Sequence, residues 1–274
     1  MKRRQRINIF PARSLAPNIL TVLALCAGMT SIRLALSEKW ELAVGAIMVA
    51  GIFDMLDGRI ARLVKGTSKF GAELDSLSDV ISFGVAPAVL VYLWTLNSLG
   101  GIGWVLALAF AVCCALRLAR FNVMAAEGVT PSIDYFIGVP APVAAGLVLW
   151  PMVLSFQFES VFFRAPVLAG VMVAAVAFLM VSQLPTFSFK RLRVKREHVL
   201  PTLIVVAALA ASLSVYTWGT ISVVSFLYVV SIPISVKRVR SRLAEQEAED
   251  LNRRVEPDFP ADKADDDTRP PAVH

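Results

Sequence analysis

The chain has 274 residues and 29.7 kDa, with 57% apolar residues, 18% charged residues and a mean hydropathy of +0.66. Soluble domains average roughly 45–50% apolar and about 25% charged, so an ordinary water-soluble globule is excluded. The net charge of +6 is unevenly placed: residues 1–236 hold 19 Lys/Arg against 11 Asp/Glu, and residues 237–274 hold 8 against 10. Basic clusters between apolar runs point to loops at lipid head groups. No RNA- or DNA-binding module is visible, so nucleic acid is not an expected partner.

In chain order, residues 1–16 form a basic, partly amphipathic segment with Lys2, Arg3, Arg4, Arg6 and Arg13. It lacks the small-residue cleavage site of a removed signal peptide. Apolar runs long enough to cross a ~30 Å hydrocarbon layer follow. They lie at about 17–36, 40–61, 77–97, 102–121, 139–156, 166–183, 199–216 and 219–236. The expected fold is an all-α polytopic membrane protein of eight transmembrane helices, with a catalytic domain over 17–236.

With the N-terminus cytoplasmic, Arg59, Arg62, Lys65, Lys69, Arg117, Arg120, the run from Lys190 to Arg196, and Lys237 to Arg242 all fall inside. Lys39 and Arg164 are left outside, with Arg33 near the end of the first span. That asymmetry predicts both termini on the cytoplasmic side of the membrane. The tail, 237–274, mixes charges with Pro257, Pro260, Pro270 and Pro271. It is expected to be a largely disordered cytoplasmic segment without a catalytic part. Cys26, Cys113 and Cys114 lie in apolar runs without metal spacing and read as small packing residues.

The chemistry concentrates between residues 54 and 79. The second span ends Asp54-Met55-Leu56-Asp57-Gly58-Arg59-Ile60-Ala61-Arg62, and the third begins Gly71-Ala72-Glu73-Leu74-Asp75-Ser76-Leu77-Ser78-Asp79. On a helix, Asp54 and Asp57 lie about 60° apart and Asp75 and Asp79 about 40° apart, so each pair shares a face. A short connection containing Gly66 makes the two helices antiparallel neighbours, with the acidic faces able to meet at one end. Four carboxylates together repel unless cations neutralise them, and hard divalent ions, two Mg²⁺ or Mn²⁺, suit such oxygen ligands. Paired metals on acidic side chains are frequent in phosphoryl chemistry. Gly58 and Gly71 leave room beside the carboxylates, and Arg62, one turn beyond Gly58, suits a phosphate. The plainer readings are an acidic pair used only in packing, or a cation path through the membrane.

The residues read D-x2-D-G-x2-A-R-x8-G-x3-D-x3-D from Asp54 to Asp79. This resembles, without departure, the signature of the CDP-alcohol phosphatidyltransferase family of membrane enzymes. The resemblance implies a six-helix core, an interfacial site, two divalent metals, a CDP-linked lipid donor and release of CMP. It also implies roles: Asp54, Asp57, Asp75 and Asp79 as metal ligands, with Asp79 as general base. Gly58, Arg62 and Gly71 match nucleotide and diphosphate contacts, and Ser68 a donor-binding hydroxyl. Pro17-Asn18-Ile19-Leu20-Thr21 is similar to the family's other donor element, making Asn18 and Thr21 candidate contacts; proline at a helix start beside a polar cap is also simply common.

Residues 75–88, Leu116 to Asn122, Phe136 to Pro142 and, less diagnostically, Leu184 to Lys190 resemble the bacterial phosphatidylserine synthase branch of that family. The implied reaction is attack of the L-serine hydroxyl on the lipid-bearing phosphorus of CDP-diacylglycerol, giving phosphatidylserine. Arg117 and Arg120, three apart, are candidate forks for the serine carboxylate, and Asn122 a candidate for its ammonium or a head-group oxygen. The arginines also fit an orientation anchor or a phosphate contact. Glycerol 3-phosphate, inositol phosphate or choline remain alternative acceptors, and a cation transporter is a distant alternative. Small residues in several spans permit close helix contacts and a homodimer.

Overall fold

The structure, a computed structural model, describes residues 15–64, 68–127, 135–158, 160–182, 185–187 and 199–231. The tail, nearly all of the N-terminal basic segment, the basic run at 190–196 and His198 lie outside them.

Helices dominate, in the order α1 (Leu15–Leu36), α2 (Trp40–Leu63), α3 (Lys69–Asp79), α4 (Ala86–Trp94), α5 (Gly101–Ala126), α6 (Ala141–Gln157), α7 (Pro166–Val181) and α8 (Val199–Val215), followed by α9 (Thr217–Ser231). Among the described residues, three helical runs are long and apolar enough to cross a membrane: Leu15–Leu36, Lys69–Trp94 and Gly101–Ala126. α2 has the length, at 24 residues, but carries Glu41, Asp54, Asp57, Arg59 and Arg62. α6 to α9 are shorter apolar helices. The chain is a membrane-bound helical protein.

Two features depart from the sequence expectation. The third span starts at Lys69 rather than 77, because the Ser68 hydroxyl caps α3 by accepting from Gly71 N at 3.0 Å. Helix therefore begins eight residues before the apolar run, and Asp75 and Asp79 both sit inside it. Second, the all-α expectation misses a short antiparallel ribbon, β1 (Tyr135–Ile137) against β2 (Pro185–Phe187), with Phe136 opposite Thr186. The ribbon leads into Gly138, whose φ of +75° suits glycine and where a Cβ would meet Met180 O at 2.8 Å.

α3 and α4 form one rod interrupted by a π turn at Val80–Val85, where Ala86 N–H donates to Ile81 O, five residues back. The cause is local. Pro87 has no N–H and its ring would collide with the carbonyl of Phe83, so the turn widens around it.

Helices in lipid gain little from hydrophobicity and pack instead through small residues. α1 buries Pro17, Thr21, Ala24, Gly28, Ser31 and Ala35, a stripe at helical spacing. Gly28 seats the π turn, since a Cβ there would lie 2.5 Å from Ser82 Oγ. On the other side of that turn, Gly84 lies against Cys114, which is fully buried and free as a thiol. Phe83, Leu90, Phe110, Leu149 and Met152 fill the centre.

Side-chain hydrogen bonds fix the ends of the rods. Ser78 Oγ donates to Thr21 O at 3.1 Å and Ser82 Oγ to Ala24 O at 3.2 Å, so α1 and α3 share one end. At the opposite end, Thr95 Oγ1, just past α4, donates to Arg164 O at 2.8 Å, just before α7.

Candidate active site

The four aspartates come from two helix ends that the fold brings face to face. Asp54, Asp57 and Asp75 each offer a carboxylate oxygen, and these oxygens lie within 4.8 Å of one another. Asp79 stands outside that trio, close enough to Asp54 and Asp75 to interact with both electrostatically. Carboxylates gathered this closely repel one another unless a proton or a cation lies between them. The oxygen-only donor set, clustered and partly buried, fits a hard divalent cation.

Asp57 is the most buried of the four, at 5% exposure. Its Oδ2 accepts from Thr21 Oγ1 at 2.6 Å, while the same hydroxyl lies 3.1 Å from Pro17 O. A hydroxyl has one proton, and the short contact to the carboxylate is the stronger use of it. Thr21 is itself 4% exposed, so α1 presents a fixed donor to a carboxylate of α2.

Beside the aspartates lies a cavity of about 210 Å³. Its lining includes all six residues expected at the donor: Asn18, Thr21, Gly58, Arg62, Ser68 and Gly71, together with Asp57 and Asp75. Pro17, Ala61 and Ala72 complete it. The two glycines act differently. A Cβ at Gly58 would meet nothing nearer than Arg62 Nη1 at 3.9 Å, so the space there belongs to the cavity. A Cβ at Gly71 would lie 2.8 Å from Asn18 Oδ1 and 3.1 Å from Ser68 Oγ, so glycine there leaves room for these two polar groups at the cavity wall. Ser68 thus has a structural task, capping α3, and leaves its own O–H proton free to face the cavity.

The three residues expected at the acceptor are separated by α5. Arg117 is half-buried, close enough to Asp79, Cys114 and Tyr228 to interact electrostatically. Its Nε is buried and has no hydrogen-bond partner among the described residues. Arg120 is exposed. Asn122 Nδ2 donates to Ser76 Oγ at 2.9 Å, and that hydroxyl lies 3.1 Å from Ala72 O. Asn122 therefore ties α5 to α3 between Asp75 and Asp79. Sequence reasoning did not single out Ser76 or Ser78; the signal was present, as two hydroxyls alternating with carboxylates in an apolar helix want partners on neighbouring helices. The π turn directly after Asp79 was also unforeseen, though Pro87 announces it.

Comparison with known proteins agrees with this geometry. The family profile described as CDP-alcohol phosphatidyltransferase matches residues 14–243. The CDP-diacylglycerol–serine O-phosphatidyltransferase of Mycobacterium leprae (strain TN) is 36% identical over 236 residues, covering 85% of this chain and 78% of that protein. The protein of the same name from Helicobacter pylori (strain ATCC 700392 / 26695) is 39% identical, covering 65% and 74%. That of Bacillus subtilis (strain 168) is 34% identical, covering 64% and 91%. A profile match spanning the whole helical region, on a chain whose aspartates and small cavity converge at one end, leaves one assignment: the chain belongs to the CDP-alcohol phosphatidyltransferase family.

Proposed function

We propose that this chain transfers the phosphatidyl group of CDP-diacylglycerol to the hydroxyl of L-serine, forming phosphatidylserine and CMP in phospholipid biosynthesis. The observation that carries the reading is the cavity in which Asn18, Thr21, Gly58, Arg62, Ser68 and Gly71 adjoin Asp57 and Asp75. Its size and glycine-lined wall suit an entering diphosphate, with Arg62 as the cationic partner.

Asp54, Asp57, Asp75 and Asp79 would hold two divalent cations, Mg²⁺ or Mn²⁺. When bound, these neutralise diphosphate charge and ease departure of CMP. Thr21 holds Asp57 in place from α1. Asp79, the member nearest α5, takes the proton of the serine hydroxyl as its oxygen bonds to the lipid-bearing phosphorus. The bond from that phosphorus to the CMP oxygen breaks, and the charge leaves with CMP. Arg117 on α5, close enough to Asp79 to interact electrostatically, brings a guanidinium to this end of the bundle, suited to a carboxylate on the acceptor. That favours serine over choline, whose cation the guanidinium would repel.

A cation transporter would need the acidic path to continue, yet α4 to α9 contain no Asp or Glu. The Lys/Arg asymmetry of the loops supports a multi-pass inner-membrane enzyme with the acidic end and both termini at the cytoplasmic face.

The test is CMP release from purified protein given CDP-diacylglycerol and Mn²⁺ with each alcohol in turn. Release is expected with L-serine. Release with glycerol 3-phosphate, inositol phosphate or choline but not with serine would overturn the acceptor assignment.

A further inference from the structure

The helix pair α8 and α9 follows the elements that build and flank the aspartate cluster, yet α9 reaches back to it. Aromatic contacts with α6 fix its course. The Trp218 ring lies 5.0 Å from that of Phe156, and the Phe226 ring 6.4 Å from that of Trp150. A Cβ at Gly219 would come 2.7 Å from Gln157 Nε2, so the start of α9 lies against the last residue of α6. α9 therefore runs antiparallel to α6. It leaves the end of the bundle where Thr95 meets Arg164 and heads toward the end that holds the carboxylates.

Tyr228 comes ten residues after Trp218, a rise of about 15 Å. It is half-buried and packs against the central core, whereas its neighbours Phe226 and Leu227 are exposed. At that height it is close enough to Arg117 of α5 for the two to interact electrostatically.

Arg117 has three such neighbours: Cys114, Asp79 and Tyr228. Cys114 lies one turn back on the same helix, buried against Gly84, and a thiol is a weak acceptor. Asp79 is the strongly attractive one. An unrestrained guanidinium would swing onto that carboxylate in a charge-assisted pair, which would mask the base and withdraw the cation from an acceptor. Among the described residues the two form no ion pair. Tyr228 is the remaining neighbour, and it arrives from a different helix. A phenol oxygen accepts from a guanidinium N–H without bringing a charge, so it restrains the fork and leaves its charge uncancelled.

We propose that Tyr228 is a positioning residue: its hydroxyl holds the Arg117 guanidinium off Asp79 and keeps it available to the carboxylate of the acceptor. The restraint itself follows from the packing of α9, and only the identity of the acceptor rests on the proposed transfer to serine.

The test uses purified full-length protein and Tyr228→Phe, which keeps the ring in the core and removes one hydroxyl. The first measurement is Mn²⁺ affinity by electron paramagnetic resonance, without donor or acceptor. Release of Arg117 onto Asp79 should weaken Mn²⁺ binding roughly fivefold, the scale of one ion pair made in competition. In an Arg117→Gln background, where no guanidinium remains to collapse, the same substitution should change the affinity by less than about twofold. The second measurement is CMP release at saturating Mn²⁺. Tyr228→Phe should raise KM for L-serine roughly tenfold, as for a misplaced charged hydrogen bond, with KM for CDP-diacylglycerol little changed. Unaltered Mn²⁺ affinity, an equal loss in both backgrounds, or an unaltered KM for serine in an active enzyme overturns the inference. If serine supports no CMP release while the Mn²⁺ pattern appears as expected, the acceptor assignment fails and the restraint of Arg117 by Tyr228 stands.

Discussion

Replacing Thr21 by valine keeps the side-chain shape and removes one hydroxyl. In the folded protein that hydroxyl donates to Asp57 Oδ2 at 2.6 Å, between two residues that are 4% and 5% exposed. No water can take its place without opening the α1–α2 contact. A hydrogen bond to a charged group contributes about 1.5–3 kcal/mol, or roughly a 10- to 150-fold change in an equilibrium constant. Because Asp57 belongs to the acidic cluster, the loss should appear in its affinity for divalent cations. Partners that orient metal ligands typically carry about 10–100-fold, which agrees with the hydrogen-bond figure. The assay is Mn²⁺ binding followed by electron paramagnetic resonance on purified protein, without substrate. Thr21→Val should bind Mn²⁺ at least tenfold more weakly, and Thr21→Ser should restore most of the affinity. If Thr21→Val bound Mn²⁺ like the wild type, the role given to the α1–α2 hydrogen bond would be wrong.

Three further outcomes are expected. Asp79→Asn should lower CMP release by about 10²–10⁴-fold, the usual contribution of a general base, while thermal unfolding stays cooperative; turnover at the wild-type rate would remove Asp79 from proton transfer. Gly58→Val should leave the melting temperature within a few degrees, because a Cβ there meets nothing closer than 3.9 Å, yet raise KM for CDP-diacylglycerol by filling the cavity. In a double-mutant cycle of Ser76→Ala and Asn122→Ala, thermal stability should show a coupling of about 0.5–1.5 kcal/mol, matching their 2.9 Å hydrogen bond; additive losses would mean the tie between α3 and α5 is not held by that pair.

Much of the site is legible in the sequence because its constraints are short-ranged. The pairs Asp54/Asp57 and Asp75/Asp79 declare their shared faces by helical spacing alone, and a short connection brings the faces together. What escaped prediction depends on contacts between distant residues, or on backbone geometry outside the hydropathy pattern. Hydropathy alone places the third span at its apolar stretch from 77, and the helical reading of the polar turns before it comes from the Asp75/Asp79 spacing; the Ser68 cap sets their start at Lys69. Gly71 lines the cavity, but that a Cβ there would approach Asn18, 53 positions earlier in the chain, could not be read from spacing. Ribbon strands of three residues carry too little alternation to be seen. Arg117 and Arg120 look equivalent in sequence, and only the packing of α5 leaves one beside Asp79 and the other exposed.

The widened turn at 80–85 also sets a phase. Each residue of an α-helix advances the side-chain direction by about 100°, so the surplus residue held in this turn offsets the azimuth of Asp75 and Asp79 from that of α4 above. The upper part of the rod can stay keyed to its neighbours while the lower part aims at α2. Deleting one residue from 80–85 and replacing Pro87 with alanine would give a smoother, more regular shaft. It would also rotate both carboxylates away from Asp54 and Asp57, so a chimera that grafts a straight helix at this position inherits the fold without the cluster.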